Sequence, residues 1–420
     1  MTDSSGIAAF RKSDLASAPR VQALAKSAVT KLLQRIKRGC LVIEYNGQID
    51  RFGNVDDPLQ ASIVVESLQA YQHVLRDGIA GAGEAYAAGL WRSPDLLAVI
   101  RVFSANLQVM ARVDSERSMM SRLASRGREF LTRNSKVGSK KNITAHYDLN
   151  NDFFATFLDS QMMYSSAIFP AQDSTLDEAS LNKLAHICST LDIGADDHVV
   201  EIGCGWGGFA SFAARETGCR VTAITISQEQ YQYAVKRVTS EGLQDRVEIK
   251  MCDYRDLEGQ YDKLVSIEMI EAVGHQYFDT YFSKCSELLK PDGKMLIQAI
   301  TVADQRYEQA KNSIDFIKRY IFPGGCLPSI TKIGQVLTRH TDLQLVRLED
   351  ITQHYARTLA AWRHRFYAAT DEITGLGFDR DFMRLWEYYL CYCEGGFRER
   401  IISTVQLVAC KPDCRSVPSI

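Results

Sequence analysis

The sequence predicts an α/β fold, a doubly wound and mostly parallel sheet in its C-terminal part, preceded by a small α+β domain. Three observations predict it. From residue 197 onward, short apolar runs alternate with helical stretches, the pattern of strands joined by crossover helices. A glycine-rich turn follows the first of those runs, where open α/β sheets bind ligands. The 420-residue length exceeds what one compact core usually holds, so two units are expected.

Residues 23–107 mix β-like and helical runs. Within them, CLVIEYNGQIDRFG sets Asn46-Gly47 between strand-like flanks, a strong hairpin signal because both residues tolerate positive φ. Residues 1–115 are read as the small N-terminal domain. A basic stretch follows, with Arg117, Arg122, Arg126, Arg128, Arg133, Lys136, Lys140 and Lys141 opposed only by Glu129. The plain account of residues 116–141 is a solvated linker. The sharper one is attraction to anionic lipid, at about 1 kcal/mol per basic residue at best.

The sheet is then read as HVVEIG, CRVTAITIS, VEIKMCD, DKLVSIEMI and KMLIQAIT, with helices through FASFAARETG, residues 228–242 and YFDTYFSKCSELL. ISTVQLVACKP, from Ile402, is expected to add a late edge strand. Residues 300–401, helical and rich in aromatics, are long enough to interrupt the sheet and cap its binding face.

Composition narrows the function classes. An apolar share of 46% and a charged share of 24% fit an ordinary globular protein. A net charge of -2 argues against a whole-protein grip on nucleic acid. No apolar run approaches the roughly 18 residues of a membrane span, and MTDSSGIAAFRKSD lacks the apolar core of a secretory signal, so a cytoplasmic location is expected. Eleven cysteines without CxxC pairs are expected to be free thiols, with no metal site.

In VVEIGCGWGGFA, Glu201 precedes Gly203, Gly205, Gly207 and Gly208 at a strand-to-helix turn. Glycines there let the backbone approach a ligand. The pattern matches the E/DxGxGxG turn of class I, Rossmann-like S-adenosylmethionine methyltransferases, and no phosphate-binding lysine follows. Where many such enzymes place an acid for the ribose, TAITISQEQ has none. Thr225 and Gln230 are the candidate partners instead. Asp253, after the third strand, is a candidate acceptor for the adenine amino group or a plain loop acid.

KNITAHYDLNNDFF, MMYSSAIF, EIGCGWGG, ITISQEQ, EMIEAVG, YIFPGGCLPS and HYARTL occur in one order, and from residue 142 onward the chain resembles cyclopropane-fatty-acyl-phospholipid synthases and mycolic acid methyltransferases. HVLRDGIAGAGEAYAAGLW resembles the N-terminal domain of the bacterial synthases. The resemblance implies a methyltransferase domain over 142–420 and S-adenosylmethionine contacts at Tyr147, Tyr164, Ser165, Gly203, Gly205, Thr225, Gln230 and Asp253, with Glu201 beside them. It places the base region at Ser166, Glu271, Gln298 and Tyr320. In the family an olefin attacks the sulfonium methyl, and the resulting cation loses a proton to bound bicarbonate. Two departures bear on that base, because many bacterial synthases have cysteine where Ser166 stands and histidine where Gln298 stands.

A neutral alkene is a poor nucleophile, so such a reaction needs alignment in a dry pocket. Tyr320, Phe322, Tyr355 and Trp362 are candidates to line an acyl channel and face a passing cation. Glu271 is the candidate carboxylate, and Glu268 ranks behind it. The expected reaction is transfer of a methylene group to a cis double bond of a phospholipid acyl chain, giving a cyclopropane. Alternatives are a methyl- or methylene-branched product, small-amine N-methylation, and a non-catalytic accessory protein. The expected partners are unsaturated phospholipid, an anionic membrane surface and a second copy of the chain, with no nucleic acid.

Overall fold

The computed structural model describes residues 19–107 and 150–416. Tyr147 and the basic stretch 116–141 lie outside the described residues. The chain divides into two compact units: Met1–Thr132 with Ile314–Pro323 and Tyr367–Ile401, and Arg133–Ser313 with Gly324–Phe366 and Ile402–Ile420.

The first unit carries β1 (Cys40–Tyr45), β2 (Gln48–Gly53), β3 (Gln60–Val65) and β4 (Trp91–Arg92), in the order β2-β1-β3-β4. Asn46 and Gly47, at φ 50° and 76°, close the antiparallel β1-β2 hairpin as the Asn-Gly pair predicts. The unit is larger than the sequence boundary at residue 115 suggests. Helix Arg380–Arg398 buries Leu385, Trp386, Tyr388, Tyr389, Leu390 and Phe397. It comes so close to helix Leu96–Ala105 that a Cβ on Gly395 would stand 2.6 Å from Ile100 Cγ2. Arg384 donates to the carbonyls of Tyr86 and Trp91 at 2.7 and 2.8 Å. Periodicity shows that such a helix has an apolar face but not which distant segment covers it.

The second unit is a seven-stranded sheet of β5 (His198–Ile202), β6 (Arg220–Thr225), β7 (Val247–Met251), β8 (Tyr261–Ile267), β9 (Leu289–Val302), β10 (Gln344–Asp350) and β11 (Ile402–Cys410). Its order is β10-β11-β9-β8-β5-β6-β7, with β5 to β9 parallel. The closing strand is not at the edge. β11 pairs antiparallel with both β9 and β10, and β10 is the edge strand. Burial explains the placement, because β11 is buried continuously from Thr404 to Cys410, as an interior strand must be, while β10 is largely exposed. β10 was hidden in a segment read as helical because its charges break the apolar run.

Along β5, Val200 and Ile202 enter one apolar layer and Val199 the other, the two-residue alternation of a strand covered on both faces. The order switches at β5, which pairs with β6 on one side and β8 on the other. Crevices at the carboxyl ends of strands beside such a switch are ligand sites. Among the described residues, no helix is long and apolar enough to cross a membrane. All eleven cysteines are free thiols.

Candidate active site

β5 runs into the glycine turn, where Gly203, Gly205 and Gly207 take φ of 85°, 52° and 79°, a region that favours glycine. The Gly203 and Cys204 amides donate to Ile224 O at 3.0 and 2.9 Å, which ties the turn to β6. A Cβ on Gly203 would stand 2.8 Å from Met269 Cγ, whereas one on Gly205 would meet nothing within 4 Å. The turn is therefore packed at its root and open at its crest.

Glu201 is buried beneath the turn, and its Oε2 has no partner among the described residues. Burial pushes its pKa up to about 8, against the Ala210 amide and the Lys183 ammonium. At the end of β6, Thr225 Oγ1 donates to Gln230 Oε1 at 3.0 Å. Ser227 caps helix Gln228–Ser240 by accepting from the Gln230 amide, which fixes Gln230 on its first turn. The two sequence candidates are thus brought together. Asp253 is engaged elsewhere: Arg255 grips both its oxygens, Nε to Oδ1 at 2.8 Å and Nη2 to Oδ2 at 2.6 Å. Its carboxylate is an ion-pair partner here, not a free acceptor.

Tyr164 lies between Phe154 and Trp362, with ring centroids at 5.2 and 5.3 Å. Ser165 is buried and its Oγ accepts from Lys183 Nζ at 2.7 Å. Sequence reasoning missed Lys183. The signal was a lysine on helix Leu176–Leu191 midway between Ala179 and Ile187, the buried face of that helix.

The base region has a different centre from the one expected. Ser166 and Gln298 are fully buried and both meet Glu268, the residue ranked behind Glu271. Glu268 Oε1 accepts from the Ser166 amide at 2.9 Å and from Gln298 Nε2 at 2.8 Å, and Oε2 accepts from the Tyr355 hydroxyl at 2.8 Å. Gln298 also donates to Ser166 O at 3.1 Å and accepts from Gln406 at 3.0 Å. Glu268 takes a left-handed φ of 51° just past β8, a conformation that costs a non-glycine residue about 1–2 kcal/mol. That turn aims the carboxylate at its three donors. Backbone conformation of this kind leaves no mark in a periodicity pattern.

Glu271 follows on the 3₁₀ turn Ile270–Ala272. Its Oε1 accepts from the Ile300 amide at 2.5 Å, and its buried Oε2 has no partner among the described residues. Burial first, and then the charge of Glu268, push its pKa up to about 8. Burial also raises Glu268, with the hydrogen bonds from Gln298, Ser166 and Tyr355 pulling the other way. Two neighbouring carboxyls in one dry site resist holding two charges, and this repulsion adds to burial in raising Glu271.

Of the aromatic candidates, Tyr355 joins the Glu268 network and Trp362 is fully buried against Phe157, Tyr164 and Tyr355. The described partners of Tyr320 lie in the first unit: its hydroxyl donates to Glu84 and its ring packs on Phe316. Glu84 also meets His73, Arg76 and Arg319 there. The sequence had grouped Tyr320 with Glu271.

The open crest at Gly205, the unpartnered buried oxygen of Glu201 and the Thr225–Gln230 pair fit an S-adenosylmethionine. The profile of the mycolic acid cyclopropane synthetase family matches residues 134–407. The chain belongs to that family. It is a class I S-adenosylmethionine-dependent methyltransferase of the cyclopropane synthase kind. It is 38% identical over 358 residues to the tuberculostearic acid methyltransferase of Mycobacterium tuberculosis, covering 83% of each chain. It is 36% identical over 348 residues to the cyclopropane-fatty-acyl-phospholipid synthase of Escherichia coli, covering 83% of this chain and 87% of that one. Among solved structures, it is similar to a mycolic acid cyclopropane synthase complexed with SAH and CTAB, with TM-score 0.61, 29% identity and coverage of 65% and 98%. Family membership supports modification of lipid acyl chains as the activity.

Proposed function

We propose that this chain alkylates the cis double bond of an unsaturated acyl chain carried by a phospholipid, giving a cyclopropane. S-Adenosylmethionine supplies an electrophilic methyl group when bound. Gly203, Gly205, Thr225, Gln230, Tyr164 and Ser165 are the residues that would hold it. The observation that carries the reading is the half-buried carboxyl pair beyond β8, in which Glu271 Oε2 is buried and unpartnered among the described residues. An alkylated alkene is a carbocation until a proton leaves, so the site needs an acceptor in a dry pocket.

The alkene π electrons form the new carbon–carbon bond as the donor's carbon–sulfur bond breaks. A proton then leaves the transferred carbon for Glu271 Oε2, and the freed electron pair closes the ring. Glu268 does not compete for that proton, because three donors already hold its oxygens. For the same reason the arrangement does not favour bicarbonate as the base, since the Ser166 amide and the Gln298 amide group are committed to a carboxylate of the chain itself.

A second reading keeps the alkylation and ends in a methyl- or methylene-branched chain. It draws support from the 38% identity to an enzyme named for tuberculostearic acid, and from Ser166 and Gln298 standing where many bacterial synthases have cysteine and histidine. The test is incubation with S-adenosylmethionine and vesicles of cis-unsaturated phospholipid, followed by proton NMR of the extracted chains. Upfield ring protons support the first reading, exocyclic methylene or branched methyl signals the second, and absence of any product overturns both.

The basic stretch 116–141 suits docking on an anionic leaflet, a role that rests on its charge alone. Vesicle binding should then weaken with salt, because a polybasic contact is screened over about 8 Å at physiological ionic strength. Binding indifferent to salt and to anionic lipid would remove that role.

A further inference from the structure

Lys183 is wholly buried, yet no chain terminus, cap or exposed surface accounts for an ammonium at that place in helix Leu176–Leu191. Burying a charge is costly unless partners offset it. Here Nζ donates to Ser165 Oγ at 2.7 Å, and the carboxylates facing it are Asp159, Glu201 and Glu268. Asp159 is itself buried and turned by the amides of Gln161 and Met163, at 2.9 and 3.2 Å. Glu201 lies under the glycine turn, and Glu268 holds the neighbouring Ser166 amide at 2.9 Å. The Ser165-Ser166 pair is therefore gripped from two sides, by a cation through one hydroxyl and by a carboxylate through the next amide.

We propose that Lys183 is a positioning residue, which fixes Ser165 at the methyl-donor site and balances the charge of the carboxylates that line it. The inference rests on the reading that Ser165 contacts the donor. With Lys183 in place, the donor-side wall is held rigid and the acids around it keep a compensating cation. Without it, Ser165 is free to rotate and Asp159, Glu201 and Glu268 confront one another. The other groups that face Glu268 are Ser166, Gln298, Tyr355 and Glu271. Those facing Asp159 are Gln161, Ser180 and Asp177, and Glu201 is faced by the Ala210 amide.

The experiment compares Lys183→Met, Lys183→Arg, Ser165→Ala and the Lys183→Met/Ser165→Ala double variant in the full chain. It measures S-adenosylmethionine affinity by calorimetry and turnover against pH. Lys183→Met should weaken donor binding tenfold or more and move the acidic limb of turnover, because Glu268, the carboxylate that faces both Lys183 and Glu271, loses an opposing charge. Ser165→Ala should weaken binding without moving the limb, and the double variant should bind no worse than Lys183→Met. Lys183→Arg keeps the charge and misplaces the donor, so its limb should stay while affinity falls. It carries the test if Lys183→Met does not fold. Wild-type affinity and an unmoved limb in Lys183→Met, or wild-type affinity in Lys183→Arg, overturn the inference. Wild-type affinity in Ser165→Ala overturns the donor-site reading beneath it.

Discussion

Gln298 Nε2 lies 2.8 Å from Glu268 Oε1, a contact between a buried amide on β9 and a half-buried carboxylate just past the parallel neighbour β8. It ties an amide to a carboxylate where many related synthases have histidine, and it keeps that carboxylate occupied. Two outcomes are expected. Turnover should not respond to removal or addition of bicarbonate. Glu268→Gln, which keeps the shape and puts an amide where the Ser166 amide, Gln298 and Tyr355 need an acceptor, should lower turnover by about 10²-fold, the size of a misplacement effect, with donor affinity unchanged. A rate that rises with added bicarbonate would show that the anion displaces Glu268.

Glu271 should show opposite effects on activity and stability. Its folded pKa is raised from 4.5 to about 8, so the fold prefers the neutral acid. The stability it contributes is full below the unfolded value and is lost as pH rises through about 8, a cost of up to about 5 kcal/mol once it is ionised. Glu271→Gln is always neutral. It should melt higher than the wild type at pH 9 and nearly level with it at pH 4, while turnover falls by about 10²- to 10⁴-fold. Wild-type turnover should climb with pH and level off above about 8. Equal melting temperatures at pH 9 would mean that Glu271 is not buried in its charged form.

The glycine turn separates packing from binding. Gly203→Ala drives a Cβ to 2.8 Å from Met269 Cγ at a φ of 85°, so the variant should lose stability, by about 1–3 kcal/mol. Gly205→Ala meets nothing within 4 Å and should cost only the left-handed backbone, about 1–2 kcal/mol. The open space it fills is the space a donor needs, so S-adenosylmethionine affinity should fall at least tenfold in Gly205→Ala. Thermal melts and calorimetry on the two variants decide it. Unimpaired binding in Gly205→Ala would move the donor off the crest of the turn.

What the sequence made legible was what repeats or stands side by side. The alternation of β5 to β9 with helices, the Asn46-Gly47 hairpin and the Glu201–Gly208 turn are all local patterns, and local sterics and burial determine them. The pairing of Thr225 with Gln230 spans one strand end and one helix start, so it was within reach. The placement of β11 between β9 and β10 and the recruitment of helix Arg380–Arg398 into the first unit depend on which distant face a segment covers. Glu268 was underrated because its role comes from a left-handed φ and from donors as much as 102 residues away, and Lys183 because a lysine in a helix reads as solvated.

Glu84 offers a test confined to the first unit. Burial alone would raise its pKa, but hydrogen bonds from His73 and Tyr320 and the guanidiniums of Arg319 and Arg76 outweigh it and hold the carboxyl at about 2, against an ordinary 4.5. A depressed carboxylate contributes stability that is present above its unfolded pKa and lost as pH falls through the folded one, here from about 4.5 to about 2. The difference corresponds to roughly 3 kcal/mol. Glu84→Gln should therefore be less stable than the wild type at pH 7 by about that amount, with Asp77 left as the counter-charge that Arg76 and Arg319 share. As pH is lowered toward 2 the two proteins should converge, since protonation does to the wild type what the substitution does at every pH. Other carboxylates titrate over the same range in both proteins, so the readout is the difference in unfolding free energy between them. A difference that stays constant from pH 7 to pH 2 would mean that Glu84 acts through its shape and hydrogen bonds, not through its charge.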